Sequence, residues 1–459
     1  MILRRDVLLG SAASILVSSI SLSTIRSAWA AGEDIHSLLQ DWVDNARQSV
    51  GMIACTYDAD SQTVTSYGHS GAADSRPLDG DTVFEIGSIT KVFTALLLTE
   101  MVTRGEVALN DPVAKYLPDA VKMPTRDGKQ ITLLDLATYT SGLPRIPDGL
   151  ATNDNPYADY GAEQLYAFLS NHTLRFIPGR HYEYANLGFG LLGHVLALRG
   201  GKTYGEMIVS RICEPLGLHD TRITLTDSMR ARLAQGHLSN LKPSANWDFQ
   251  ALAGAGALRS TANDLVRFMK ATNFAEAGSP LQQPIAMLLQ TRRATDLATV
   301  KAALGWFVNT NHDDQVVWKD GMTGGYTSFA GFSTTRKSGA VILANAANAL
   351  NDLGLHLTNP AYKVALYPPQ VAVDPAILAS YAGIYQMEPT FMLTIRAEGP
   401  RLFIRATGQA EYEMFAESDS RFFLRVVDAQ GRFMRNKEGA VDRLLWHQNG
   451  KYQECPRLP

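Results

Sequence analysis

Apolar residues recur every three or four positions from Ile89 onward, at Val92, Phe93, Leu96, Leu97 and Met101, within the run FEIGSITKVFTALLLTEMV (84–102). That recurrence predicts a helix with a buried face, and it places Ser88 at the helix start. The chain changes rhythm around this segment. An apolar pattern predicts a helix near 35–47, and GMIACTY (51–57) with TVTSYG (63–68) reads as a strand hairpin. Residues 105–250 are mostly helical patterns broken by Pro and Gly, as in GLPRIP (142–147), FIPGR (176–180) and EPLGL (214–218). LAGAGALRSTANDLVRFM (252–269) predicts a glycine-rich extended piece leading into a helix. Strand patterns return at 304–310, 315–321, 326–332 and 339–346. Strands early and late with helices between them predict an α/β fold: one antiparallel sheet flanked by helices, with a helical insert.

Beyond Pro368-Pro369 the runs shorten, at 393–396, 401–405, 412–416, 421–427, 432–436 and 442–448, with turn residues between them. This spacing predicts a small C-terminal all-β domain, barrel-like, with Phe403, Phe422, Phe423, Phe433 and Trp446 as core candidates. The domain reading is residues 1–30, 31–365 and 366–459. The first thirty residues carry Arg4-Arg5 before an apolar, serine-rich stretch ending Ala28-Trp29-Ala30. They read as an export signal peptide of the twin-arginine type, with cleavage after Ala30, no stable membrane span thereafter, and a periplasmic or secreted protein.

Composition narrows the classes. The 459 residues are 46% hydrophobic and 19% charged, which suits a globular chain of more than one domain. A formal net charge of −3 predicts no surface for nucleic acid. Cys55, Cys213 and Cys455 are too few and too scattered for a disulfide framework, and neither they nor the ten histidines show ligand spacing. No metal and no cofactor is expected.

The candidate chemistry lies in three short stretches. In SITK, Ser88 and Lys91 sit one helical turn apart on one face, so the amine can reach the hydroxyl and accept its proton. The alternative for Ser88 is an ordinary helix cap. Tyr184-Ala185-Asn186 follows a Pro-Gly-Arg turn and faces outward from a loop; nearby cations would favour the phenolate, and Asn186 offers both a donor and an acceptor to an amide. Lys319-Asp320-Gly321 ends a strand before a glycine-rich turn, at a place where backbone can approach a ligand. A second S-x-x-K, Ser239–Lys242, is followed by Pro243 and continues into no helical pattern.

Taken in that order, S-x-x-K, Y-A-N and K-x-G resemble the signature of the penicillin-recognising serine hydrolases, in the branch of class C β-lactamases and AmpH-type DD-peptidases. FEIGSITKVFTALLL, ITLLDLATYTSGLPR and YEYANLGFGLLG are similar to that branch. The resemblance implies a β-lactamase/transpeptidase-like fold over roughly 35–350, followed by a lipocalin-like tail. It implies Ser88 as the acylated nucleophile, Lys91 as its proton acceptor and Tyr184 as general acid/base. Asn186 would hold the substrate amide, Lys319 would tune Tyr184 and bind a carboxylate, and the N–H groups of Ser88 and Met322, beside Gly321, would form the oxyanion hole. The substrate would be a small molecule or a peptidoglycan peptide, cleaved at a D-Ala-D-Ala-type or β-lactam amide bond. An esterase or D-aminopeptidase/amidase on the same fold, and a penicillin-binding receptor with little turnover, are the alternatives. Asp320 departs from the family's Thr or Ser at that place. Facing the cleft it would repel a carboxylate, while strand alternation puts it on the opposite face from Lys319.

Overall fold

The computed structural model of the chain describes residues 34–459 except 74, 152, 275–277, 365–367, 369, 390, 408–410, 426–428, 449 and 450. The expected signal peptide lies outside the described residues. The chain forms two compact units, one of Asp34–Val43 and Arg47–Ala365, the other of Leu366–Pro459 with Asp44–Ala46.

Near the start of the described chain, α1 (Ile35–Gln40) is capped by the Asp34 carboxylate and loosens into a π turn at Asp41–Asn45, so the helix expected over 35–47 is regular only at its start. The hairpin strands are β1 (Gly51–Tyr57) and β2 (Gln62–Gly68). β3 (Val83–Glu85) leads straight to the SITK segment, and β4 (Thr125–Arg126) with β5 (Lys129–Gln130) makes a small hairpin. β6 (Arg259–Thr261) pairs with β3. Then come β7 (Arg293–Ala294), β8 (Val300–Ala302), β9 (Phe307–Asn309), β10 (Val316–Met322), β11 (Thr327–Ser333) and β12 (Ser338–Ala344).

The main sheet has the order β2-β1-β12-β11-β10-β9-β8-β7, with each neighbouring pair antiparallel. β1 lies between its hairpin partner and the late strand β12, with Cys55 opposite Val341. Its near-continuous apolar run fits that place, since all but one of its residues are buried. This is the antiparallel α/β architecture that the early-and-late strand pattern predicts.

The helix after Ser88 differs from its expected form. A 3₁₀ turn over Gly87–Ile89 passes into α2 (Thr90–Thr103), and every residue from Thr90 to Met101 is buried, not one face alone. Its polar positions are satisfied inside the protein. Thr94 Oγ1 donates to the Gly254 carbonyl (2.8 Å), Thr90 Oγ1 accepts from Leu258 N–H (3.1 Å), and Glu100 pairs with Arg211 (3.1 Å). With those bonds made, Leu96, Leu97 and Leu98 each stabilise the fold by about 1.5–3 kcal/mol through burial.

The insert is less helical than its pattern suggests. Between 139 and 160 no described residue belongs to a helix or strand, and the stretch holds Gly142, Pro144, Pro147, Gly149 and Pro156, which interrupt regular backbone.

In the smaller unit the strands form a sequential meander: β13 (Gly383–Glu388), β14 (Phe391–Glu398), β15 (Arg401–Ala406), β16 (Glu411–Ala416), β17 (Arg421–Phe423), β18 (Ala429–Arg435), β19 (Val441–Gln448) and β20 (Lys451–Pro456). The two ends meet where Tyr385 bridges Arg457 and Leu458 N–H donates to the Ile384 carbonyl (2.8 Å), giving a nearly closed barrel. Its inside is filled. Tyr381, at the end of the helix Pro375–Tyr381, stacks on Phe433 at 4.1 Å, with Phe422 and Tyr385 edge-on. Phe422, Phe433 and Trp446 belong to this core, whereas Phe403 is covered by the guanidiniums of Arg396 (4.4 Å) and Arg401 (4.6 Å).

Candidate active site

The 3₁₀ turn that begins at Gly87 fixes Ser88. Gly87 has φ +47°, and a Cβ there would lie 2.6 Å from Met322 N. The end of β10 therefore runs directly along the serine's own backbone. The α2 helix begins without a side-chain cap, so Ser88 does not serve as one. Its hydroxyl instead accepts from Lys91 Nζ at 2.7 Å and from Tyr184 OH at 2.8 Å. Lys91, wholly buried, also donates to the Ala255 carbonyl at 2.6 Å.

Tyr184 reaches Ser88 from the residues just before the helix Asn186–Gly200. The Arg145 carbonyl accepts from the N–H groups of Asn186 (2.8 Å) and Leu187 (3.2 Å), which anchors that helix start. Three cations approach the Tyr184 ring: Lys319 Nζ at 5.0 Å from its centroid, Arg145 Cζ at 5.1 Å and Lys91 Nζ at 5.2 Å. Tyr139, with φ +58°, stacks on the same ring at 4.9 Å, and its own buried hydroxyl has no hydrogen-bond partner among the described residues.

Charge and burial tune these groups. Burial brings the Lys91 ammonium down to about 8; Tyr184 opposes that shift and Lys319 reinforces it. Burial alone would raise the Tyr184 phenol, but Lys319 and Lys91 outweigh it and bring it down to about 8. The amine and the phenol share one hydroxyl, so their titration belongs to the pair. A proton can leave Ser88 toward either neighbour once the pair has lost one of its own.

Lys319 is fully buried, and burial would lower its ammonium; Asp320 and Tyr184 overcome that and raise it. Asp320 does not turn away from it. The Lys319 side chain bends back to Asp320 Oδ1 at 3.0 Å, while Asp320 Oδ2 accepts from Asn351 Nδ2 at 3.1 Å. The strand expected to end at Lys319-Asp320-Gly321 runs on through Met322, and Lys319 lies in its middle; simple alternation fails because the four-carbon stem reaches around the backbone. Gly321 is the tightest position, since a Cβ would sit 2.0 Å from the Ile86 carbonyl oxygen and 2.9 Å from Ser88 N. Met322 places its backbone nitrogen beside Gly87 and leaves its side chain exposed.

Asn186, two residues after Tyr184, engages an aromatic neighbour. Its Nδ2 donates to Tyr157 OH (3.2 Å), and its Oδ1 is buried without a partner among the described residues. Tyr157 stacks on Phe249 (4.6 Å) and lies against Trp247 (5.3 Å), an aromatic wall contributed by two loops. Ser239–Lys242 lies in a tight turn, with Leu238 N–H bonded to the Lys242 carbonyl, and carries no such constellation. No group of three or more His, Cys, Asp or Glu among the described residues is arranged to hold a metal ion. The sequence patterns do not single out Arg145, Tyr139, Tyr157, Asn351 or Ala255 as site residues, although Tyr139 and Arg145 lie in LATYTSGLPR and Ala255 in the glycine-rich run 252–269.

A serine held between an amine and a phenol, with strand backbone at its side, is built for acyl transfer. The Beta-lactamase family profile matches residues 38–359. The chain belongs to the beta-lactamase family. It is a serine acyl-transfer hydrolase of the penicillin-recognising group. A profile described as a domain of unknown function (DUF3471) matches residues 367–455. Among curated beta-lactamase-family relatives, the chain is 27% identical over 371 residues to the D-alanyl-D-alanine-carboxypeptidase/endopeptidase AmpH of Escherichia coli K12, covering 75% of this chain and 96% of AmpH. Among solved structures, the octameric penicillin-binding protein homologue from Pyrococcus abyssi has a TM-score of 0.64 at 20% identity, covering 92% of this chain and 100% of that one. The class C beta lactamase from Rhodobacter sphaeroides has a TM-score of 0.60 at 23% identity, covering 69% and 95%.

Proposed function

We propose that this enzyme cleaves amide or ester bonds through an acyl-Ser88 intermediate. The carrying observation is the pair of bonds on Ser88 Oγ, 2.7 Å from Lys91 Nζ and 2.8 Å from Tyr184 OH. Ser88 attacks the acyl carbon and passes its proton to the Lys91–Tyr184 pair. Tyr184 then protonates the leaving group and, in the second half, draws a proton from the attacking water. The N–H groups of Ser88 and Met322 hold the oxyanion, a contribution of about 3–4 kcal/mol per donor in comparable enzymes. Lys319 and Lys91 bring the Tyr184 phenol down to about 8, which keeps its phenolate accessible.

The names of the relatives bring two substrate classes, D-Ala-D-Ala-type peptides and β-lactams, to this site. The Asp320–Lys319 ion pair favours a further one, esters or amides. Export through the twin-arginine-type segment at residues 1–30 belongs to the same reading; no helix among the described residues is long and apolar enough to cross a membrane. The C-terminal barrel, with its interior filled by Tyr381, Phe422 and Phe433, suits contact through its surface better than a lipocalin-like carrier role.

Peptide mapping after treatment with a labelled penicillin or an acyl phosphonate tests the nucleophile. Label on Ser88, with multiple turnover of nitrocefin, a D-Ala-D-Ala peptide or p-nitrophenyl acetate, is expected. Label on Ser239 or on no serine would reject the assignment, and acylation without turnover would make the protein a receptor.

A further inference from the structure

Lys319 cannot meet a ligand directly, because it is wholly buried and its ammonium is already matched by Asp320 at 3.0 Å. The part of this ion pair that meets solvent is the Asp320 side chain, which is 23% exposed. Its other oxygen is fixed by Asn351, so both oxygens are held in place. The pair lies next to Gly321 and Met322, the residues packed along Ser88. A group leaving from an acyl-Ser88 complex on this side approaches a negative charge that the protein has clamped in position.

We propose that Asp320 sets substrate charge by occupying, with a carboxylate of the enzyme's own, the place beside Lys319 where a substrate carboxylate would otherwise bind. The substrates taken are then acyl donors whose leaving group is neutral or cationic: an ester, a capped amide or the amide of an amine. This rests on the acyl-Ser88 reading above and narrows it. A leaving group that bears a carboxylate next to the scissile bond meets like charge at Asp320 and finds Lys319 already taken. An ammonium there gains a fixed counter-ion.

Three aryl esters of one acyl chain decide it: an unsubstituted phenyl ester, its 3-carboxyphenyl analogue and its 3-(aminomethyl)phenyl analogue, assayed on the full chain. The wild-type kcat/KM is expected to be about tenfold or more lower for the anionic ester than for the neutral one, and highest for the cationic one. In Asp320→Asn the anionic-to-neutral ratio should rise about tenfold, and the rise should shrink with added salt because a partly exposed contact is screened. Asn351→Ala, which keeps the carboxylate, should leave the ratio low. A wild-type preference for the anionic ester would give the substrate side to Arg145 and overturn the proposal, as would an unchanged ratio in Asp320→Asn. Should that variant fail to fold, the wild-type ranking of the three esters decides alone. Acyl-phosphonate labelling of Ser88 in the same preparations separates the two readings: label and turnover without charge discrimination sinks only the role of Asp320, whereas no label sinks the acyl-serine chemistry itself.

Discussion

Gly321 touches the nucleophile's backbone so closely that a methyl group on it would lie 2.9 Å from Ser88 N. The same methyl would be 2.0 Å from the Ile86 carbonyl oxygen, a backbone atom that cannot swing away as a side chain would. Gly321→Ala must therefore push the end of β10 off the Gly87–Ile89 turn. We expect a loss of about 1–3 kcal/mol in thermal stability, as for overpacked sites, and a fall in kcat of about a hundredfold as the Met322 N–H leaves its place. A variant with wild-type kcat would show that this strand end does not hold the oxyanion.

Tyr184→Phe keeps the ring among its three cations and removes only the proton carrier. Loss of a general acid/base predicts a drop in kcat of about 10²–10⁴ with the circular dichroism spectrum unchanged. Near-normal kcat in a folded variant would leave Tyr184 a packing residue.

The pH profile follows from two shifts, Lys91 and Tyr184 each brought down to about 8. Below that range both hold their protons and Ser88 has no acceptor, so kcat/KM should fall as pH drops through about 8. Lys319 lowers both groups, and Asp320 raises the phenol. Lys319→Met removes the cation and leaves Asp320 uncompensated, so the limb should move to higher pH. A limb that stays put or moves to lower pH would contradict the electrostatic coupling.

Tyr139 carries a buried hydroxyl without a hydrogen-bond partner among the described residues, while its ring supports Tyr184. An orphaned donor in an apolar setting costs about 1–3 kcal/mol, so Tyr139→Phe should raise Tm or leave it unchanged. Tyr139→Ala removes the stacking partner and should lower both Tm and kcat. A clear loss of stability in the Phe variant would reveal a bond to the hydroxyl.

The Ser88–Lys91 pair was legible because its geometry is local: three positions on a tight turn hold the two side chains together whatever surrounds them. The strands from Val316, Thr327 and Ser338 were legible too, because each holds a short apolar stretch, VVW, FAGF and AVILA, beside turn residues. The complete burial of α2 was not, because Thr94 and Glu100 look like solvent-facing positions until Gly254, Tyr204 and Arg211 arrive from more than a hundred residues away. β7 and β8, two and three residues long, are too short to carry a period. The direction of Asp320 was left open because strand alternation describes where a Cβ points, not where a flexible lysine ends. Arg145, Tyr157 and Asn351 reach the site by tertiary packing of loops and a late helix, which no spacing rule encodes.

β1 is the second strand in a sheet whose third is formed by residues 338–344, so that sheet stays open until nearly the whole larger unit exists. The same ordering governs the chemistry. Ser88 and Lys91 come early and together, but Tyr184, the Ala255 carbonyl and the Gly321–Met322 strand end are supplied one after another along the following 234 positions. Contacts of such long sequence separation form late in folding. A partly made chain thus holds a serine of ordinary reactivity, and the conversion to a nucleophile coincides with closure of the fold, so that nothing is acylated before there is a cleft to choose what is.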